Sequence, residues 1–489
     1  GVFMSGSVWN TPPTRPGPPS IPSAMLAALC LGVLGAGVAG SAPLGVRRAA
    51  LDEEAAGDEV SLLQRRAGPA PVARPAYFWA GKNGDLARTG ASAFASPSNL
   101  SAGPSWSFDG DLVRAAPLID AERNIYLSTI PGYVYKMSPQ GAVLWRHRAT
   151  GEIPSVPAIA GGLVFANSQD GNVAALDMAT GARRWLARAG ACSAADTASV
   201  TATGRVVVVA VGELWCDVNT HIVALSAEDG SLKWSFRPDL PVYNFLSAVV
   251  EGSLVFSDFS GKVYRLDLET GRLLWKFAET SPTDLTTGGA VVGPNRVVYV
   301  THNVGNMMTV MSSQGTGRLS AFSLDTGARI WFQDTGLLAN NAAAVGVLHP
   351  SGKGPLSVVV GVGENPDQAP QRPGIKRGQV LAFDAETGRR LDWAYSPPVW
   401  PFAAAAGDTP SHICLPDAFS NPSIGGDGSV YIGFEDGRLY AMRDADGDGR
   451  VGEGEVSSYD FKNAFQGSPG LAPGMLVATP CNGMHVFLS

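Results

Sequence analysis

The sequence predicts an all-β fold, an eight-bladed β-propeller closed by pairing of its N- and C-terminal strands. Three observations predict it. A strand–turn–strand pattern recurs through the middle of the chain, a tryptophan falls at one fixed place in most copies, and the last copy lacks an outer strand that a segment near residue 106 can supply.

Two copies define the pattern: Asp170-Gly-Asn-Val-Ala-Ala-Leu-Asp-Met-Ala-Thr-Gly-Ala-Arg-Arg-Trp185 and Ser260-Gly-Lys-Val-Tyr-Arg-Leu-Asp-Leu-Glu-Thr-Gly-Arg-Leu-Leu-Trp275. Gly317 to Trp331 and Gly378 to Trp393 repeat it, and His221 to Trp234 and Tyr133 to Trp145 are looser copies. A period of this kind marks a repeat architecture in which each unit buries its apolar face only against its neighbours. Within a copy, alternating apolar residues form a strand. Asp-x-x-Thr-Gly then makes a tight turn in which Gly supplies positive φ. The tryptophan lies on the returning outer strand, where its flat ring covers the edge of the next blade. Seven of the eleven tryptophans take that place: Trp106, Trp145, Trp185, Trp234, Trp275, Trp331 and Trp393.

Counting closes the ring. Outer strands from Trp145 to Trp393 account for six blades. A seventh carries Asp427 to Met442 with Val456–Phe461 as its outer strand, and an eighth has only inner strands between Ser468 and Leu488. Ser105-Trp106-Ser-Phe108 completes the eighth from the other end of the chain and removes the exposed edges.

The bulk numbers agree. A chain of 489 residues ordinarily suggests several domains, but a ring of repeats grows one core slice at a time. Glycine (59) and proline (35) suit many short strands joined by turns. Net charge is −7 with no basic block, so the charge pattern does not point to nucleic acid.

Residues 1–43 read as a leader. Its apolar run from Met25 to Pro43 has signal-peptide length and ends in small residues, which implies export to an extracytoplasmic compartment: secreted, periplasmic or an organelle lumen. A membrane anchor is the alternative, although the run is short for a span. Membrane contact is then expected only through a partner or an uncleaved leader. Cys30 follows Leu29, which does not suit a lipidation box. Residues 44–75 read as linker and 76–489 as the propeller, with a glycosylation sequon at Asn99-Leu-Ser101.

The repeat resembles those of the quinoprotein-like (PQQ-type) β-propeller family, which includes the bacterial outer-membrane assembly lipoprotein scaffold. The resemblance covers about residues 76–489. Ala80-Gly-Lys-Asn-Gly-Asp-Leu-Ala-Arg-Thr-Gly90 also looks like the opening segment of such proteins. For the family's enzymes it implies PQQ and calcium over the central channel, a tryptophan floor, a vicinal disulfide and a catalytic Asp. This chain has no adjacent cysteines, and its innermost strands begin with small, mostly uncharged residues. Gly361-Val-Gly-Glu-Asn365-Pro366 looks like the enzymes' Asn-bearing loop, but Trp400-Pro401 stands where Trp-Asp is expected. PQQ is therefore not expected, and no residue is assigned a catalytic role.

The strongest chemical motif is Asp444-Ala-Asp446-Gly-Asp448-Gly-Arg450-Val-Gly-Glu-Gly-Glu455. It matches the calcium-loop pattern, with carboxylates at positions 1, 3 and 5, the Arg450 carbonyl at 7 and a bidentate Glu455 at 12. The alternative is a solvated acidic hairpin. No helices flank it, so the expectation is a structural clamp in the last turn of blade 7.

Long loops of blades 5 and 6, and the stretch entering blade 7, are expected on one face. They offer His302, Asn303, Asn306, Met307, Met308, Glu364, Asn365, Asp367, Arg372, Trp400 and His412 as a candidate binding face. The alternative is divergent insertion without function. The same geometry predicts disulfides Cys192–Cys216 and Cys414–Cys481, against the alternative of four buried thiols. The leading function is a non-catalytic scaffold with calcium and a protein partner. A PQQ-dependent dehydrogenase of alcohols or sugars, and a carbohydrate-binding propeller using Trp400, are the alternatives.

Overall fold

A computed structural model of the protein describes residues 76–489 apart from 194–197, 214–217, 278–283, 288, 306–314, 368–372, 411 and 415. The leader, the linker, Cys30, Cys216, Asn306, Met307, Met308 and Arg372 lie outside the described residues. Those described fall in one compact unit, Ala73–Ser489.

The unit holds eight antiparallel four-stranded blades. Blade 1 runs from Leu118–Asp120 to Val143–Arg148, blade 2 from Ala158–Ala160 to Arg183–Arg188, and blade 3 from Thr201–Ala202 to Leu232–Phe236. Blade 4 runs from Ala248–Val250 to Leu273–Phe277 and blade 5 from Ala290–Val292 to Arg329–Asp334. Blade 6 runs from Ala344–Val347 to Arg390–Tyr395 and blade 7 from Ser423–Ile424 to Val456–Asp460. Blade 8 has three C-terminal strands, Gly470–Ala472, Met475–Ala478 and Met484–Leu488, and takes Trp106–Phe108 as its outer strand, with Trp106 opposite Val486. The ring closes as the repeat count requires, so no blade is left with an unfinished sheet.

All seven pattern tryptophans lie on outer strands. Five donate their indole N–H to a carbonyl in the third-to-fourth-strand turn of the next blade: Trp106 to Pro139 (2.9 Å), Trp145 to Met178 (3.1 Å), Trp185 to Ala227 (2.9 Å), Trp234 to Leu268 (2.9 Å) and Trp275 to Leu324 (2.8 Å). The ring then lies flat on that turn's glycine. At Gly271 the backbone has φ +71°, and a Cβ would stand 2.6 Å from the Trp234 ring. Glycine is needed there twice over, for the turn's conformation and for the approach of the ring. Asp267 of the same turn accepts from Thr270 N–H (2.9 Å) and Oγ1–H (2.7 Å), which explains the Asp-x-x-Thr spacing. One local motif thus builds both the turn and the joint between blades.

The structure adds a feature that the repeats do not announce. Residues 77–96 run around the inside of the ring and touch every blade. Tyr77–Trp79 forms a fifth strand on the inner edge of blade 1. Beyond it, the carbonyls of Ala80, Leu86, Ala87, Thr89 and Gly90 accept the N–H of Ile159, Val249, Val292, Val345 and Ile424, on the innermost strands of blades 2, 4, 5, 6 and 7 (2.7–2.9 Å). Ser96 donates to Ala472 of blade 8 (3.0 Å). Blade 3 is reached by Arg88, which is 1% exposed and donates to Thr201 Oγ1 (2.8 Å) and the Val200 (3.3 Å), Ser247 (2.9 Å) and Lys82 (2.9 Å) carbonyls. Burial lowers its pKa to about 10, so it stays charged at neutral pH, its charge spread over four acceptors. The segment occupies inner-edge hydrogen-bonding groups that the toroid would otherwise leave open.

Candidate functional site

The loops that join blades, and those between second and third strands, share the upper face, where the channel opens. The mouth is lined by Lys82 of the inner segment and by Asn244, Thr287, Asn341, Asp417 and Gln466 from successive blades. About 20 Å³ there is open to water. Asp417 is the only carboxylate among the lining residues; it accepts from Thr287 Oγ1 (3.0 Å), and its carbonyl accepts from Asn341 (3.0 Å). Thr287, Asn341 and Asp417 are engaged with one another, the Asn244 amide oxygen has no partner among the described residues, and the free space is on the scale of a water molecule.

The loops of blades 6 and 7 form a two-stranded ribbon, Pro373–Lys376 with Trp400–Phe402. Lys376 anchors its base, donating to the Asn365 carbonyl (2.6 Å) and to Asp367 (3.1 Å). Glu364 pairs with Arg377 (2.7 Å). Trp400 is half-buried, its indole N–H donating to Ala404 (2.8 Å) and its ring 4.8 Å from that of Phe402. The apolar surface belongs instead to Ile375 (68% exposed), Val399 (52%) and Phe402 (50%), which the sequence reading did not single out. No periodic signal in the sequence marks them, since Pro401 between Trp400 and Phe402 is exposed as well.

Two of the proposed face residues are corrected. His302 and Asn303 are not in a loop but on the strand Val297–Val304, where both are buried. The strand runs further into the inserted stretch than the repeat length suggests. Burial lowers the His302 pKa to about 4, so it is a neutral interior imidazole. His412 is partly buried, and burial lowers its pKa too.

Cys414 and Cys481 form a disulfide, 67 residues apart in sequence, that ties the loop entering blade 7 to blade 8. Cys192 is also disulfide-bonded, and its predicted partner Cys216 lies outside the described residues. Beside the ribbon, Glu435 is fully buried, and neither carboxylate oxygen has a hydrogen-bond partner among the described residues. Burial holds its pKa well above the usual range, partly offset by Lys376. Sequence reasoning missed it, because Phe434-Glu435-Asp436-Gly437 reads as an ordinary polar turn.

On the lower face, the hairpin joining Arg438–Met442 to Val456–Asp460 carries the acidic loop. Asp444 is buried and accepts from the N–H of Gly447 (2.8 Å) and Gly449 (2.9 Å). Gly449, at φ +84°, makes the sharp turn that the motif requires at its sixth position. Glu455 folds back to accept from Ala445 (2.5 Å) and Gly452 (2.7 Å), and these backbone N–H groups, Gly452 foremost, hold its pKa below the usual value. Oxygens of Asp444, Asp446 and Glu455 lie within 4.8 Å of one another, while Asp448 accepts from Arg450 N–H (2.8 Å). Three carboxylates converging on one point is a donor set suited to a hard divalent cation. Val451 and Val456 of this hairpin pack in the cluster that holds Trp393. The loop therefore replaces the glycine turn on which the preceding blade's tryptophan rests elsewhere.

Comparison with known proteins agrees with this architecture. A family model described as outer membrane protein assembly factor BamB matches residues 96–214 and 193–390. The curated BamB of Nitrosomonas eutropha is 26% identical over 216 residues, 43% of this chain and 49% of that protein, so the chain spans about half the length of that relative. Among solved structures, BamB from Moraxella catarrhalis superposes with a TM-score of 0.55 at 18% identity, over 79% of this chain and 99% of that one. The quinohemoprotein alcohol dehydrogenase of Comamonas testosteroni superposes with a TM-score of 0.58 at 14% identity, over 85% and 81%. At such identities these structures establish the shared fold alone. With the family model spanning more than half of its length, the chain belongs to the PQQ-like propeller family of outer membrane protein assembly factor BamB.

Proposed function

We propose that the chain is a non-catalytic, extracytoplasmic scaffold that binds a protein partner, with calcium clamping blade 7. The observation that carries the reading is the filled channel. The inner segment bonds the innermost strands from within, and among the described residues the mouth above it is lined by amides, hydroxyls, Lys82 and one carboxylate, with little free volume. Quinone catalysis on this fold needs an open channel with a metal and a general base. The relatives named as assembly factors point the same way, towards a partner among membrane-protein assembly components. Among the described residues no helix is long and apolar enough to cross a membrane.

The ribbon is the surface this reading assigns to the partner. Ile375, Val399 and Phe402 project apolar side chains from a base fixed by Lys376, an arrangement suited to a hot spot. Cross-linking mass spectrometry in the native host is expected to recover one recurrent polypeptide, lost at least tenfold in Ile375→Asp/Phe402→Asp. Recovery unchanged by the double substitution would count against the ribbon, and no recurrent polypeptide at all would count against the scaffold. For calcium, the support is the match of the loop pattern at its five fixed positions, Asp444, Asp446, Asp448, Gly449 and Glu455, and the convergence of Asp444, Asp446 and Glu455.

A further inference from the structure

We propose that the outer rim of blades 1–4 is a docking surface for an extended acidic segment of a partner polypeptide. The proposal rests on the scaffold reading and adds the partner's chemistry. The outer strands Val143–Arg148, Arg183–Arg188, Leu232–Phe236 and Leu273–Phe277 carry seven exposed cations and no carboxylate. The outer strands of blades 5–8 carry two cations, Arg329 and Arg390, against Asp334, Asp392 and Asp460. In a chain of net charge −7 this is a segregated basic strip, not an average surface.

Internal pairing does not account for it. Arg184, Lys233 and Lys276 pair with Asp177 (2.6 Å), Glu269 (3.0 Å) and Asp239 (2.8 Å). Arg146, Arg148, Arg183 and Arg188, all on blades 1 and 2, form no ion pair among the described residues. Arg146 and Arg148 lie over the Tyr133 ring, 5.5 and 4.6 Å from its centroid, which holds the guanidinium groups at the surface. Between these cations stand Val143 (49% exposed), Leu144 (51%), Leu186 (40%) and Leu232 (67%). The strip is thus basic and apolar by turns, and its complement is acidic and apolar.

Shape selects the occupant. Eight blades turn about 45° each, so four cover about half of the circumference on a convex surface. A planar bilayer or a rigid globular face would touch one or two blades at a time, whereas an extended chain can follow all four.

The test uses the full chain and a fluorescein-labelled 24-residue peptide of Glu-Leu-Glu-Val repeats, read by anisotropy at 50 and 300 mM salt. Binding is expected at low salt and to weaken tenfold or more at high salt, because screening shortens the reach of surface charge to about 10 Å at 0.1 M and less above it. The variant R146E/R148E/R183E/R188E is expected to lose tenfold or more, provided its melting temperature matches the parent. R389E/R390E on blade 6 is expected to bind as the parent does, and a Lys-for-Glu peptide not at all. Absence of binding, equal loss in both variants, or binding of phosphatidylglycerol vesicles in place of the peptide would each overturn the proposal. A partner recovered through the ribbon with no cross-link to blades 1–4 would overturn it while leaving the scaffold reading in place.

Discussion

Arg88→Ala is expected to destabilise the propeller by about 3–5 kcal/mol, more than any substitution in the repeats' exposed turns. Arg88 is the one side chain of the inner segment whose guanidinium reaches blades 3 and 4 together, through Thr201, Val200 and Ser247, while also bonding Lys82 of its own segment. Truncation removes a donor from three buried carbonyls and a hydroxyl, of which the Ser247 carbonyl and the Thr201 hydroxyl keep a bond to each other's residue, and each orphaned group costs about 1–3 kcal/mol. The sum is discounted because a cavity of about 240 Å³, lined in part by Arg88, Leu86 and Ile159, admits water from the lower face. Arg88→Lys keeps the charge but not the spread of donors, and an intermediate loss is expected. Urea denaturation monitored by tryptophan fluorescence reads both. A loss below about 1 kcal/mol for Arg88→Ala would mean that the inner segment decorates a ring stable without it.

Calcium, if it binds the acidic loop as proposed, gives the second large expected effect. Saturation at 100–1,000 times the dissociation constant is expected to stabilise the chain by about 2.7–4.1 kcal/mol, because a ligand bound only to the folded state adds RT ln(1 + [L]/Kd). Asp444, Asp446, Asp448 and Glu455 place four negative charges in one hairpin, and without a cation they repel. The cost is felt at the joint of blades 6 and 7. Trp393 is buried there, and among the described residues its indole N–H, like that of Trp331, has no acceptor, whereas five other tryptophans bond the next blade. Val451 and Val456 of the loop supply its packing instead. Melting in 1 mM calcium is therefore expected several degrees above melting in EGTA, with the difference gone in Asp444→Asn/Glu455→Gln. Identical melting curves would reduce the loop to a solvated acidic turn.

Much of the architecture is legible in sequence, for a physical reason. The Asp-x-x-Thr-Gly turn and the tryptophan that rests on its glycine are local, so each copy declares a blade joint within sixteen residues, as from Asp170 to Trp185. Closure followed from counting, since a ring with one strand missing at the C-terminus must find it near Trp106. The Cys414–Cys481 bond followed from placing loops on faces. What sequence did not show is non-local. The inner segment works through backbone carbonyls of Ala80, Leu86 and Thr89, whose identities are arbitrary, and through Arg88, which reads as an ordinary polar residue. His302 was placed in a loop because an insertion was equated with irregular chain, whereas the strand extends to Val304 and buries it. At the ribbon, Trp400 drew attention as the large aromatic, yet pairing turned it inward and left Ile375 and Phe402 outside.

The proposed reading is a binding scaffold in which the inner segment and the channel mouth take no quinone. Isothermal titration of the purified chain with PQQ and calcium, followed by a dye-reduction assay with primary alcohols and aldoses, tests it most directly. The account predicts calcium binding alone, no heat attributable to the quinone and no dye reduction. Stoichiometric quinone binding with turnover would contradict it.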